Sequence, residues 1–508
     1  MSTTATRPRE EYKEPTYSHW RRPRSSGVFG QGLIGSVILV TCVLVTITTA
    51  ALAGIQAGIA VGVVCMCLVP LVLRPQPYSK PLGQILLGKV AWWLRGRRGE
   101  TIAVGGQLSA VPGGTYRLPG LLAPIEAYEF STTAGWTFGL LFNRRAATWT
   151  ILLRAQPEGS ELVDEEVLDE RVAGWARYLA DATRIGDLSA ITVTVETVPD
   201  AGARLQAEVA RLIKPSTPQI AREALHEAAA IMPTGQAVIL ARVAISWKTG
   251  IRAQKAKRQD RPRVMAESIG QHLPGILASL GASGGGLCRP MALREIAESA
   301  RAAYDPAIWP SLEQARISGR GSTVTWENAG PTAAVSRRGH LWHDGHASVS
   351  WAMENAPMGV ITRGALVPLL APDADAMRKR VTLLYRPFRT QDARVVARRD
   401  IKDVTFERGK HAVGDAHEDV ELLAARKTQE ELAQGAGLVR FSLIVTATVK
   451  DSGDLDQIAA NVEAAGASAD IQLRRDWLGQ SALFAMGLGF GLIPTAHSSV
   501  PPFIRDTF

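Results

Sequence analysis

Between Arg24 and Arg74 the chain carries no charged side chain. Cysteine is nearly as scarce, with four in 508 residues, and three of these (Cys42, Cys65, Cys67) lie inside the same uncharged stretch. There they act as small apolar groups. That leaves Cys288, from which neither a disulfide framework nor a cysteine-based zinc site can be built. Several catalytic signatures are also missing. A phosphate loop needs G-x-x-x-x-G-K-[ST], glycines for backbone approach and lysine for charge. The nearest segments, "FERGKHAVG" (406–414) and "GASGGGLCRP" (281–290), do not supply both. There is no G-x-S-x-G elbow, H-E-x-x-H or dinucleotide fingerprint. The body is therefore not expected to bind or hydrolyse ATP on its own.

The uncharged stretch holds two apolar runs, about Leu33–Ala53 and Ala57–Leu73. Each meets the length of roughly 17–25 residues that a membrane helix needs. "ALA" at 51–53 resembles a signal cleavage site, but a second run follows at once. The short connector predicts an antiparallel hairpin, with Gly58 and Gly62 at small-xxx-small spacing for close contact. Arg21, Arg22 and Arg24 precede the first run, and Arg74, Lys80 and Lys89 follow the second. By the positive-inside rule both termini are expected in the cytoplasm, with the protein in the cell membrane. Leu82, Ile85, Leu86, Val90 and Trp93 recur at helical spacing before Arg95, Arg97 and Arg98, which suggests an in-plane amphipathic helix.

After residue 98 the chain turns polar. The charged fraction of 21% and mean hydropathy of +0.03 exclude a multi-spanning transporter. The net charge of +9 suits an anionic lipid surface as well as nucleic acid. Strands are predicted at 148–156, 190–197 and 237–247, with helices at 164–182, 200–213, 217–231, 264–280 and 291–303. The same grammar returns with strands at 381–388, 437–450 and 469–476 and helices at 416–434 and 453–466, the last capped by Asp454. The expected fold class is α+β: a two-helix transmembrane hairpin, then a cytoplasmic body of two split-βαβ-like units. The expected segments are 1–32 (cytoplasmic tail), 33–73 (hairpin), 74–125 (juxtamembrane segment and linker), 126–330 (first unit) and 331–508 (second unit).

Two clusters invite chemistry. His340, His343 and His346 are three residues apart, with Asp344 among them, and imidazole with carboxylate suits zinc or iron. Asp344–Gly345, however, is a strong two-residue hairpin signal. The histidines are read as flanking an exposed turn, each replaceable at a cost within about 0.5 kcal/mol. No catalytic, cofactor-binding or metal-binding residue is assigned. The basic stretch 250–263, with Arg252, Lys255, Lys257, Arg258, Arg261 and Arg263, is read as a solvated connector without aromatics for base stacking.

The segments "YSHWRRPRSSGVFGQG", "AWWLRGRRG", "VPGGTYRLPGLL" and "ITVTVETVPDAGARL" resemble a membrane protein family of actinobacterial conjugative elements. That family accompanies a small PrgI-type membrane protein and a conjugation ATPase. The later run from "HDGHASVSWAMENAPMGVITRGALVPLL" through "KRVTLLYRPF" to "VRFSLIVTATVKDSGDLDQIAANVEAAG" is similar to the N-terminal, non-motor domain of CagE/TrbE/TraC-type secretion ATPases. The resemblance implies a non-enzymatic inner-membrane subunit of a conjugative type IV-like secretion apparatus. It would act in DNA transfer, docking the ATPase in trans beside other channel subunits, itself oligomeric, with direct nucleic-acid contact left open. The alternatives are an EccE-like component of a type VII secretion system and a membrane-anchored metal-dependent enzyme.

Overall fold

The computed structural model describes residues 32–73 and 82–494, together with Pro15 and Tyr17. Short gaps fall at 108, 110–111, 133–134, 160–162, 201, 233–235, 356, 358–360, 409–415 and 451–454. The flanking Arg21, Arg22, Arg24, Arg74 and Lys80, and the expected cap at Asp454, lie outside the described residues.

Helices Gly32–Ala53 and Ile55–Leu73 pack against each other and break at Gly54 alone, whose φ of 94° suits glycine. A methyl group on Gly58 would sit 2.4 Å from Ala50 Cβ, and one on Gly62 would sit 3.2 Å from Thr46 Cγ2. The glycine spacing thus buys close approach. Thr46, Thr48 and Thr49 return their hydroxyls to carbonyls one turn back, at 2.8, 2.9 and 2.7 Å. The outer faces are apolar: Leu52 is 89% and Met66 78% exposed. Among the described residues no helix is long and apolar enough to cross a membrane. In these two helices the described side chains cover residues 39–53 and 55–66. A third helix, Leu82–Arg97, follows, with Trp93 half exposed beneath the guanidinium of Arg97 at 3.8 Å.

The body is mixed α+β around one antiparallel sheet of 13 strands. They are β1 (Ile102–Val104), β2 (Ile125–Ser131), β3 (Thr137–Asn143), β4 (Thr148–Gln156), β5 (Leu188–Pro199), β6 (Ala237–Lys248), β7 (Leu287–Pro290), β8 (Ala333–Ser336), β9 (Leu341–His343), β10 (His346–Asn355), β11 (Arg378–Pro387), β12 (Val439–Val449) and β13 (Gln472–Arg475). The order is β1-β8-β9-β10-β12-β11-β5-β6-β4-β3-β2, with β13 on β10 and β7 on β4.

This order folds onto itself about the β5–β11 pair. On one side a β2–β3–β4 meander leads to helix Glu165–Ala182, β5, a helical pair, β6, helix Arg261–Leu280, β7 and helix Leu293–Tyr304. On the other, β8–β9–β10 leads to the short helix Val367–Leu370, β11, a helical pair, β12, helix Leu455–Ser468, β13 and helix Gln480–Gly487. Because β6 pairs antiparallel with both β4 and β5, those two strands run the same way with β6 between them. β12 stands likewise between β10 and β11. The recurrence was visible in the sequence. The joining of both units into one sheet was not: Val195 pairs with Val381, Val193 with Leu383 and Ile191 with Tyr385.

Both faces of the sheet are covered. One face, with Ile151, Ile191, Ile245 and Val445, packs under helices Glu165–Ala182, Arg261–Leu280 and Leu455–Ser468. In the last of these Leu455, Ile458, Ala459 and Val462 repeat at the 3–4 spacing of one buried stripe. The other face packs under Leu293–Tyr304 and Gln480–Gly487 in a core drawn from both units. The basic stretch 250–263 is largely helical rather than a loop, and Arg252, Lys255, Lys257, Arg258 and Arg263 on it are exposed to solvent. It forms helix Ile251–Lys255 and opens helix Arg261–Leu280, with Ala253 buried and Arg263 paired to Glu267 at 2.9 Å. The tail also touches the body: Tyr17 and Ile361 exchange backbone hydrogen bonds of 2.8 and 2.9 Å.

Candidate functional site

The seam between the units carries the densest set of buried charges. Four sequence positions converge on it. Glu196 is 1% exposed, and around it stand Arg242, Arg378 and Arg380, all buried. Arg242 donates to both carboxylate oxygens (3.0 and 3.3 Å), Arg378 donates at 3.1 Å, and Arg380 also bonds. Burial alone would raise the carboxyl, but the three guanidinium groups outweigh it and hold Glu196 well below the usual carboxylate range. Burial lowers Arg378 to about 10 against the pull of Glu196. Three cations share one anion, and Arg378 Nε and Nη2 and both terminal nitrogens of Arg380 have no hydrogen-bond partner.

Beside this cluster runs a ladder of hydroxyl pairs. Thr150 meets Ser246 at 2.8 Å, Thr194 meets Thr382 at 3.3 Å, Ser350 meets Thr446 at 3.0 Å and Ser348 meets Thr448 at 2.7 Å. A strap of chain, Gly487–Ile493, lies over the ladder. Gly489 and Gly491 have φ of 71° and 75°, and a methyl there would stand 2.3 Å from Thr194 Oγ1 and 2.1 Å from Thr150 Oγ1. Leu488, Phe490 and Leu492 point the other way, into the shared core. Thr382 donates to the Gly487 carbonyl (2.7 Å), and Arg242 donates to that of Leu488 (3.0 Å). The alternating glycines in "GLGFGLIP" were the sequence signal for this strap, and sequence reasoning passed over them.

At one end of the seam the β5–β11 pairing stops at Ile191–Tyr385, and the strands part. A cavity of about 470 Å³ opens there, with Ile493 buried at its edge. Arg145, Lys248, Arg386 and Arg389 line it, against one carboxylate, Asp392. Thr148 and Ser189 also line it, and their hydroxyl oxygens are buried without partners. A bulge in β5 between Leu188 and Ala190 sets the position of Ser189.

A second groove, about 600 Å³, runs along the far edge of the C-terminal unit, between helix Leu455–Ser468 and β13. Glu354, Asp456 and Glu463 face Arg474 and Arg475 across it. Trp477 stands at its rim, 55% exposed under the Arg475 guanidinium at 4.6 Å. Next to it Leu478 meets helix Leu82–Arg97, where a methyl on Gly88 would be 3.5 Å from Leu478 Cδ1.

The histidines need correction. Asp344–Gly345 does form the turn, with φ of 41° and 80° and His343 paired to His346. The turn is exposed at Gly345, but the histidines beside it are not. His343 is 0% exposed and His346 buried, under the shared-core helix Leu293–Tyr304, while His340 is half-buried. The Tyr304 carbonyl can only accept, so His343 Nδ1 carries the proton, and Nε2 accepts from Ser348 Oγ at 2.7 Å. The Asp344 carboxylate is taken by Arg301 (3.0 Å) and by the backbone N–H groups of Thr332 and Ala333. Among the described residues no three His, Cys, Asp or Glu side chains are grouped to hold a metal ion.

Burial pushes His343 down to about 3, against the raising effect of the Tyr304 carbonyl, with His346 and Arg380 lowering it further. As pH falls below about 6.5 the unfolded chain takes up a proton that the folded one refuses. Stability is therefore lost between about 6.5 and about 3, by up to roughly 1.4 kcal/mol per pH unit. His343→Gln should cost about 1–3 kcal/mol at pH 7.5, not under 0.5, and flatten that acid slope. Urea titrations across pH check both effects.

In comparisons with known proteins, residues 24–77 match a domain of unknown function, DUF8461. No curated protein matches the chain.

Proposed function

We propose that the protein is a non-enzymatic, membrane-held scaffold of a conjugative type IV-like secretion apparatus, docking a partner ATPase at the cytoplasmic membrane face. The observation that carries this reading is the Trp477 groove. Exposed Trp beside Arg is the composition of an interface anchor, and here it adjoins helix Leu82–Arg97, the next described helix in the chain after the apolar helix pair. A partner seated in that groove would lie against the membrane face.

Two further features support the reading. The helix pair exposes an apolar surface suited to lipid, and its hydroxyls are satisfied within the helices. The Tyr17–Ile361 bridge joins the chain before the pair to the body after it, which is compatible with a hairpin whose two ends lie on one side. The ATPase as partner comes from the sequence resemblance.

Trp477→Ala tests the groove. It removes an exposed side chain, so the fold should be kept. Retention of the ATPase on the membrane-extracted full chain should fall about tenfold or more. Wild-type retention by this variant, with the fold confirmed by circular dichroism, would remove the groove from the account.

A further inference from the structure

The polar side chains that line the cavity at the end of the seam are nearly all donors. Arg145 and Lys248 are exposed at the mouth, and Arg386 and Arg389 come from the end of β11 and the residue after Phe388. Arg389 is steadied by a 2.9 Å bond from its Nε to the Gly186 carbonyl. Deeper in, Thr148 is 2% exposed, and its Oγ1 has no partner; neither has Ser189 Oγ. A buried hydroxyl without a partner costs free energy unless something completes it. Helix Thr390–Arg408 also begins here. The Ala393 N–H is the first to bond back along the chain, to Arg389, so the N–H groups of the opening turn face this end with the positive pole of the helix. Among the described residues that line the cavity, Asp392, in that first turn, is the one carboxylate beside Arg145, Lys248 and Arg389.

We infer that this cavity is a binding site for a phosphate group, held by Arg145, Lys248 and Arg389 and completed by the hydroxyls of Thr148 and Ser189. The donor set fits a tetrahedral oxyanion. Several N–H and O–H groups converge, arginine and lysine supply charge, and a helix N-terminus adds its dipole. The volume of about 470 Å³ exceeds one phosphate and leaves room for a carrier that bears it. That carrier is either a soluble phosphomonoester or an anionic lipid headgroup; the chemistry recognised is the same. The site does not depend on the docking reading, because its residues are separate from the Trp477 groove.

The test uses the full chain in neutral detergent, titrated calorimetrically with inorganic phosphate, glycerol 3-phosphate and dihexanoyl phosphatidic acid below its micelle concentration. Wild type should bind, more weakly as salt rises. Arg145→Gln with Lys248→Gln, both exposed and harmless to the fold, should weaken binding by at least about tenfold. Thr148→Val should weaken it by about threefold or more without changing charge. Phosphatidic acid binding about tenfold tighter than glycerol 3-phosphate identifies a lipid ligand. Equal binding identifies a soluble one. The inference is overturned if none of the three probes binds wild type, or if the charge variant binds them as wild type does.

Discussion

Glu196→Gln should destabilise the body by about 3–5 kcal/mol, among the largest effects any single side chain here can produce. The substitution is nearly isosteric, so packing is kept and the effect reports charge. It leaves Arg242, Arg378 and Arg380 buried around a neutral amide, three cations without their shared anion. Arg378→Met should cost less, because it lowers the positive excess while filling similar volume, and Arg378 already has nitrogens without partners. Urea denaturation of the solubilised chain, followed by tryptophan fluorescence, measures both. Equal costs, or a Glu196→Gln cost under about 0.5 kcal/mol, would mean that the cluster does not lock the seam. The acid dependence has a definite sign. The folded pKa of Glu196 lies below its unfolded value, so its contribution is fully present above the ordinary carboxylate range. It is lost progressively as pH falls from the ordinary carboxylate range down through the depressed folded value.

Gly491→Ala should cost about 2–4 kcal/mol from two sources. The residue has φ of 75°, which a side chain disfavours, and the new methyl would meet Thr150 Oγ1 at 2.1 Å and Thr150 Cβ at 2.8 Å. Neither atom can swing away, since Thr150 is buried in a central strand and bonded to Ser246. Combining Gly491→Ala with Thr150→Ala removes the hydroxyl and should recover part of the loss. Thermal unfolding of the single and double variants is the measurement. A strap that tolerates the methyl at no cost would show that Gly487–Ile493 is loosely laid over the sheet.

Much of the body was legible because its strands alternate or run apolar between clear breaks. Strands read at 148–156, 190–197, 237–247, 381–388 and 437–450 all appear within a few residues of their places. The helix Thr390–Arg408 was missed because "TQDARVVARRDIKDVTFER" is so heavily charged that no wide apolar stripe stands out. β1 and β8 have three and four residues, too short for periodicity to register, whereas the equally short β9 was readable from the Asp344–Gly345 turn that pairs it with β10. The seam was illegible for a different reason. In β5 and β11, Thr192, Thr194 and Glu196 alternate with apolar residues, as do Arg380 and Thr382, which reads as a strand with one wet face. The strap and two helices cover that face from distant parts of the chain, so the polar residues are buried in partnership. His343 was misplaced by the same physics. A D-G turn specifies a hairpin, but says nothing of the helix Leu293–Tyr304 that packs over it. The close helix contact at Gly58 and Gly62 was readable because only spacing and size were needed.

If the C-terminal unit docks an ATPase beside the membrane, as we propose, a crosslink from the Trp477 groove will capture it. A photoreactive amino acid placed at position 477 of the full chain, in membranes of the native cell, should crosslink to a single major partner, the secretion ATPase. The same probe at exposed Ile220 on the other unit should not. Crosslinking to the ATPase from Ile220 but not from position 477, or from neither, would contradict the account.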